Sequence, residues 1–153
     1  MRTIVIGLAV AAVACGPKPD AAPPADTTTA VAPAPPPVSL SSFAGRWRVV
    51  GRNEATNDSL ITYELTATAD TAGWTILLPG QTAPIPVRVA LQGSEVRVDA
   101  GPYPSVLRKG VQVTTDAMIR LEGDSLVGST TAHYSAGPDS VLRLRTVGKR
   151  ITP

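Results

Sequence analysis

Cys15 is the only cysteine in the 153-residue chain and its only thiol nucleophile. It follows the apolar residues 4–14, which stand behind one positive charge, Arg2, and it precedes the sequence GPKPD. This layout is typical of a secretory signal, since the apolar run is shorter than the ~20 residues that span a bilayer. An intramolecular disulfide is excluded because there is no second cysteine. We predict that residues 1–14 are a signal peptide.

The residues around the thiol, Ala12-Val13-Ala14-Cys15, resemble the lipobox of bacterial lipoproteins. The resemblance implies that the Cys15 thiol receives a diacylglyceryl group, that cleavage makes it the new N-terminus and that fatty acids such as palmitate are attached. Two or three acyl chains anchor a protein stably in a membrane. The residue after the cysteine is Gly16 and not Asp, which by the same resemblance favours the periplasmic face of the outer membrane over the inner membrane.

The next segment is a predicted linker. Residues 15–38 comprise the cysteine and a sequence of Pro, Ala and Thr with almost no bulky apolar residue, which cannot bury a core. Pro-rich spacers extend by about 3.1 Å per residue, so we expect a disordered tether that holds residues 39–153 away from the bilayer.

A second candidate nucleophile is Ser125, in the tetrapeptide GDSL at 123–126. The same letters mark a family of serine hydrolases, but that family carries them early in an α/β fold and places an Asp three residues from its His, whereas Thr130 stands at that offset from His133. Asp-Ser before a branched apolar residue is also a turn signature. It occurs three times, at 58–60, 124–126 and 139–141. We therefore predict a turn role for Ser125 and no enzymatic activity, and a hydrolase is only the third hypothesis.

Other polar residues give no catalytic or metal pattern. His133 has no second His or Cys with which to bind zinc, and Glu64, Glu95 and Glu122 lack the spacing of paired acid and base groups. No cofactor is implied. The formal net charge of +2 is too small for a nucleic-acid footprint, so we expect no nucleic-acid partner.

The elements that would position such residues are β-strands. From Phe43 onward, apolar residues alternate with polar ones, as in Ile61, Tyr63, Leu65 and Ala67, and turn residues separate the runs. No window indicates an amphipathic helix, so we predict an all-β, antiparallel up-and-down meander of about eight strands, closed as a barrel. The predicted strands are 45–53, 59–68, 73–79, 84–91, 94–100, 110–121, 125–134 and 139–147. The sequence GPYPSVLRKG at 101–110 is predicted to be a long connection or a kinked edge.

The first strand opens with Phe43-Ala44-Gly45-Arg46-Trp47, which resembles the F-x-G-x-W opening of calycins, the barrel group that includes the lipocalins. The resemblance implies that Trp47 closes one end of the barrel beneath an arginine of the last strand. Arg145 and Arg150 are the candidates for that arginine.

Two functional hypotheses remain open. The first is a membrane-anchored envelope lipoprotein whose barrel binds a small apolar ligand among Tyr63, Trp74, Val87 and Val98. The alternative is a non-enzymatic interaction module with a filled core that contacts envelope proteins. Residue size in one strand does not decide between them, because Gly128, Thr130 and Ala132 leave room whereas Leu126 and Tyr134 fill it.

Overall fold

The computed structural model describes residues 38–151, which form an eight-stranded antiparallel barrel after one short 3-10 helix, Leu40–Ser42. Each strand pairs with its neighbours in sequence, and the last pairs with the first. The predicted all-β fold with a closed up-and-down meander is confirmed. The strands are β1 (Gly45–Asn53), β2 (Ser59–Ala67), β3 (Thr75–Leu77), β4 (Ile85–Gln92), β5 (Glu95–Pro104), β6 (Gln112–Glu122), β7 (Ser125–Tyr134) and β8 (Val141–Arg150). Cys15 lies outside the described residues.

Closure of the barrel depends on β8, which runs three residues beyond its predicted end. Its last residue, Arg150, is paired with Trp47 near the start of β1, and Leu144 is paired with Asn53 at the end of β1. Residues 47–53 of β1 provide hydrogen-bonding partners as far as Arg150. β8 therefore continues past residue 147, where its alternation of apolar and polar residues ends. Closure gives each of the eight strands a paired neighbour on both sides, although β3 is short and pairs with only three residues of β2 and two of β4.

The segment at 101–110 is divided between a strand and a loop. β5 continues through Pro102 to Pro104, with a register shift against β6 between Ala100 and Tyr103, and the connection is limited to residues 105–111. Proline cannot donate to a ladder, and a shift in register is where a strand tolerates it. The predicted kink is therefore an irregularity within a strand that pairs on both sides of it.

The barrel has two unlike ends. We call the end at which β1 begins the closed end and the end at which β1 finishes the open end. Inward residues from all the strands form the core, which is most tightly packed toward the closed end, where Trp47, Val96 and Leu126 have no exposed surface.

Candidate functional site

The closed end is sealed by aromatic residues from two segments. Trp47 and Phe43 are fully buried, and the indole Nε1 of Trp47 donates to the carbonyl oxygen of Phe43 at 2.7 Å. Trp74 packs against Phe43 with ring centroids 6.1 Å apart and donates to the carbonyl oxygen of Asp70 at 2.8 Å. Both indole N–H groups thus have partners, which makes burial of two tryptophans favourable.

Arg150 covers the aromatic cluster of Phe43, Trp47 and Trp74, which we call the plug. Its guanidinium carbon lies 4.2 Å from the centroid of a Trp47 ring, and the group donates to the carbonyl oxygens of Ser42, at 2.9 Å, and of Ala44. Arg145 does not share this position. It is paired with Arg52 on the outer face of β8, five residues away along the strand, which is about 16 Å.

Gly45 makes room for this arrangement. Its φ is +129°, a conformation that favours glycine, and a Cβ there would lie 2.6 Å from an Arg150 guanidinium nitrogen. The spacing of Phe43, Gly45 and Trp47 therefore has a physical reason in this barrel. Phe43 supplies the carbonyl oxygen that accepts from the indole, Gly45 leaves space for the guanidinium group, and Trp47 supplies the ring over which Arg150 lies.

A cavity of about 60 Å³ lies at the open end. Its lining is mostly apolar and includes Ile61, Val113 and Leu144, and no residue in that lining carries a charged side chain. Gly51 also faces it, and an added Cβ would lie 2.9 Å from Ile61 Cγ2. The cavity exists because short residues face inward here, Thr130 and Ala132 of β7 among them, whereas Leu126 fills the closed end of the same strand.

All three tyrosines of the chain, Tyr63, Tyr103 and Tyr134, line this cavity. Burial of the phenol raises the pKa of Tyr63, and nearby Tyr103 raises it further. Burial also raises the pKa of Tyr103, against an opposing hydrogen bond with Thr115. Tyr63 and Tyr103 therefore remain neutral at physiological pH.

Two threonines add hydroxyl groups to this site, whose lining also includes Ser105 and Thr115. The hydroxyl oxygens of Thr130 and Thr146 lie 2.7 Å apart in a buried hydrogen bond between β7 and β8. The cavity thus combines an apolar wall with neutral hydroxyl groups, which suits an uncharged or largely apolar molecule and disfavours a buried ion.

The predicted ligand-lining residues separate into two groups. Tyr63 lines the cavity, whereas Trp74, Val87 and Val98 do not, since they are buried in the packed core. Alternation identified all four as inward-facing residues. It did not give their height along the barrel, and the cavity is confined to the open end.

The mouth of the cavity is bordered by residues 105–111, which we call the mouth loop. Its Arg108 lies over the Tyr134 ring, 3.9 Å from the centroid, and donates to the carbonyl oxygens of Pro138 and Asp139 at 3.1 and 2.9 Å. Arg108 thereby joins the mouth loop to the β7–β8 loop. Sequence reasoning assigned no site role to Arg108 or Tyr103, and no local motif marks them.

The residues of a serine hydrolase are not brought together. Ser125 begins β7 and its hydroxyl accepts from Lys149, whereas His133 lies eight residues further along the same strand, about 26 Å away. His133 contacts Asp116 instead, at 3.0 Å on the outer face. The absence of enzymatic activity stays a prediction.

The glutamates considered above are held by surface arginines. Glu64 contacts Arg46 at 2.7 Å, and Glu95 and Glu122 both contact Arg120. Within residues 38–151, no three His, Cys, Asp or Glu side chains are grouped as a metal site would require.

Comparisons with known proteins found no matching protein-family model, no matching curated protein and no matching solved structure. Across residues 38–151, no helix has the length and apolar character needed to cross a membrane.

Proposed function

We propose that this protein is a lipid-anchored envelope protein whose barrel binds a slender apolar molecule, or the apolar end of an amphiphile, in the cavity at the open end. The observation that carries the proposal is the cavity itself, which has an uncharged lining and three tyrosines around it. A concave apolar site with a few convergent hydroxyl groups is the usual form of a small-molecule site.

Cavity size narrows the class of ligand. A dry apolar cavity of about 150 Å³ is large enough to hold benzene, and this one is about 60 Å³. A whole ring compound therefore exceeds the enclosed space, whereas the end of an alkyl chain fits with the rest of the molecule passing out through the mouth. This favours a ligand with a narrow apolar end.

The proposed anchor is the acylated Cys15, and the proposed location is the periplasmic face of the outer membrane in preference to the inner membrane. Support comes from the lipobox resemblance of Ala12-Val13-Ala14-Cys15 and from Gly16. The calycin resemblance is supported by the contacts among Phe43, Gly45, Trp47 and Arg150 described above.

The alternative is an interaction module that contacts envelope proteins and binds no small molecule. Tight packing at the closed end is compatible with it. The two proposals differ in what they expect at the open end, since only the first requires a molecule to enter among the tyrosines.

The chain contains intrinsic probes at both ends of the barrel, because its three tyrosines line the cavity and its two tryptophans lie in the plug. We propose a titration with 1-decanol that is followed by NMR on residues 38–153, which contain the whole closed barrel and its core. Binding is expected to shift the ring resonances of Tyr63, Tyr103 and Tyr134 in a saturable manner and to leave the indole resonances unchanged.

Ala132→Leu provides the matched test, since the added carbons occupy the cavity and decanol affinity should fall about tenfold or more, as loss of a buried apolar contact of about 1.4 kcal/mol implies. Ala90→Leu, the same change at an exposed residue of β4, should leave affinity unchanged. Native mass spectrometry of the protein from its source would identify a co-purified molecule. The absence of saturable tyrosine shifts would favour the interaction module.

A further inference from the structure

The exposed large apolar residues are concentrated at the open end. Four of the five on the described surface are there: Leu60 at the start of β2, Val106 and Leu107 in the mouth loop, and Val141 at the start of β8. The fifth, Leu91, is near the closed end. Leu60 and Val141 do not line the cavity, whereas Val106 and Leu107 adjoin each other at its mouth, where exposed apolar residues are typical of an interaction site.

The mouth loop connects this surface with the cavity. Val106 and Leu107 are each 39% exposed, and both also line the cavity. An apolar path therefore runs from the outer surface of the loop to the tyrosines, and a molecule following it would avoid crossing bulk water.

Two cations come next in the mouth loop. Arg108 uses two of its five N–H donors on carbonyl oxygens, and Lys109 is exposed. The loop itself contains no carboxylate, although the neighbouring loops at this end contain Glu54, Asp58 and Asp139. Exposed aliphatic side chains bury apolar area at the interface of a bilayer, and neighbouring cations add attraction to anionic headgroups.

We propose that the open end docks on the surface of a lipid bilayer that contains anionic headgroups, with Val106 and Leu107 inserted among the acyl chains and Lys109 at the phosphates. This rests on the proposed function, for which it identifies the ligand source: a molecule with a narrow apolar end would pass from the bilayer into the cavity.

The length of chain before the barrel permits this orientation. The described chain enters the barrel at the closed end, and the 22 residues between Cys15 and Val38 reach about 70 Å if extended. The longest strands have ten or eleven residues, so the barrel is about 30 Å tall. A tether anchored at Cys15 is therefore long enough for the barrel to turn its open end toward the same membrane.

Anchoring also explains why a small apolar surface suffices. Tethering raises the effective concentration of the second contact to about the millimolar range for short flexible linkers. The open end need only bind the bilayer weakly, because the lipid on Cys15 keeps the barrel near it.

The test uses the full lipidated chain reconstituted into vesicles that contain nitroxide-labelled lipids. With Cys15 acylated, an introduced cysteine is the reactive thiol, and an environment-sensitive dye is attached at Leu107→Cys, at Val141→Cys or at the control Leu91→Cys. Leu91 is a matched control because it is 48% exposed, against 39% for Leu107, and lies toward the opposite end. Quenching at 107 should exceed that at 91 about tenfold, since about 30 Å separates the two ends.

The charge contribution is tested with Lys109→Glu on vesicles with phosphatidylglycerol and on vesicles of phosphatidylcholine alone. We expect the variant to reduce quenching at 141 about fivefold on the anionic vesicles and little on the neutral ones. Quenching at 107 and 141 that is no greater than at 91 would overturn the docking proposal. Equal quenching on both lipids would overturn its anionic part.

The decanol titration separates this proposal from the proposed function. Docking that is absent while the tyrosine shifts persist overturns the docking proposal alone. Docking that persists without saturable tyrosine shifts overturns ligand binding alone.

Discussion

The contact between Arg150 and Trp47 can be tested by a double-mutant cycle. Arg150→Ala removes a cation from the indole face, which contributes about 0.5–1 kcal/mol at an exposed site. It also removes donations to the carbonyl oxygens of Ser42 and Ala44, whose contribution is reduced by solvent. We expect the free energy of unfolding to fall by about 1.5–3 kcal/mol in total.

The partner substitution must leave a folded protein. Trp47→Ala would leave a large cavity in the plug and cost about 3–5 kcal/mol, which rivals the stability of a small domain. The cycle therefore uses Trp47→Leu, which keeps part of the apolar volume and removes the aromatic face. The double variant should retain about 0.5–1 kcal/mol more stability than additive losses predict, because the stacking contact is lost only once.

Arg145→Ala is the matched control. It removes the same side chain from the outer face of the same strand, and we expect a loss within about 0.5 kcal/mol and no coupling to Trp47. Urea unfolding followed by far-ultraviolet circular dichroism measures all variants, with unchanged m-values as a check on two-state behaviour. A coupling below about 0.3 kcal/mol between Trp47 and Arg150, or equal coupling for Arg145, would refute the proposed role of the stack.

Three further predictions concern other sites. Cys15→Ser should abolish incorporation of labelled palmitate and release the protein from the membrane fraction, and unchanged labelling would contradict the proposed anchor. Ser125→Ala removes a hydroxyl that accepts from Lys149, so the free energy of unfolding should change by less than about 1 kcal/mol. The rate of p-nitrophenyl acetate cleavage should match that of the unaltered protein. A specific loss of cleavage would restore the hydrolase hypothesis. The raised pKa of Tyr63 means that the unfolded chain loses this proton first, so stability is complete below about pH 10 and falls above it by at most about 1.4 kcal/mol per pH unit. Tyr63→Phe should weaken this fall in alkaline urea titrations, and an unchanged slope would show that Tyr63 does not contribute to it.

The sequence by itself determined the fold class, most of the strand order and the inward set of residues. Alternation at period two and turns between the runs are local signals, and they predicted strands at 45–53 and 125–134 with the bounds observed. The same parity placed Tyr63, Trp74, Val87 and Val98 on the inner face. Continuous hairpin connections then favoured closure of the barrel.

Tertiary structure alone decided what each inward residue does. Arg150, and not Arg145, reaches Trp47 because β8 pairs with β1 beyond the predicted end of the strand. The cavity occupies only the open end, so one of the four predicted ligand-lining residues borders it. Arg108 reaches a loop 30 residues away, which no local pattern encodes. Parity specifies the face of a strand, whereas height along the barrel and contact between loops depend on register and closure, which arise only when distant strands pair.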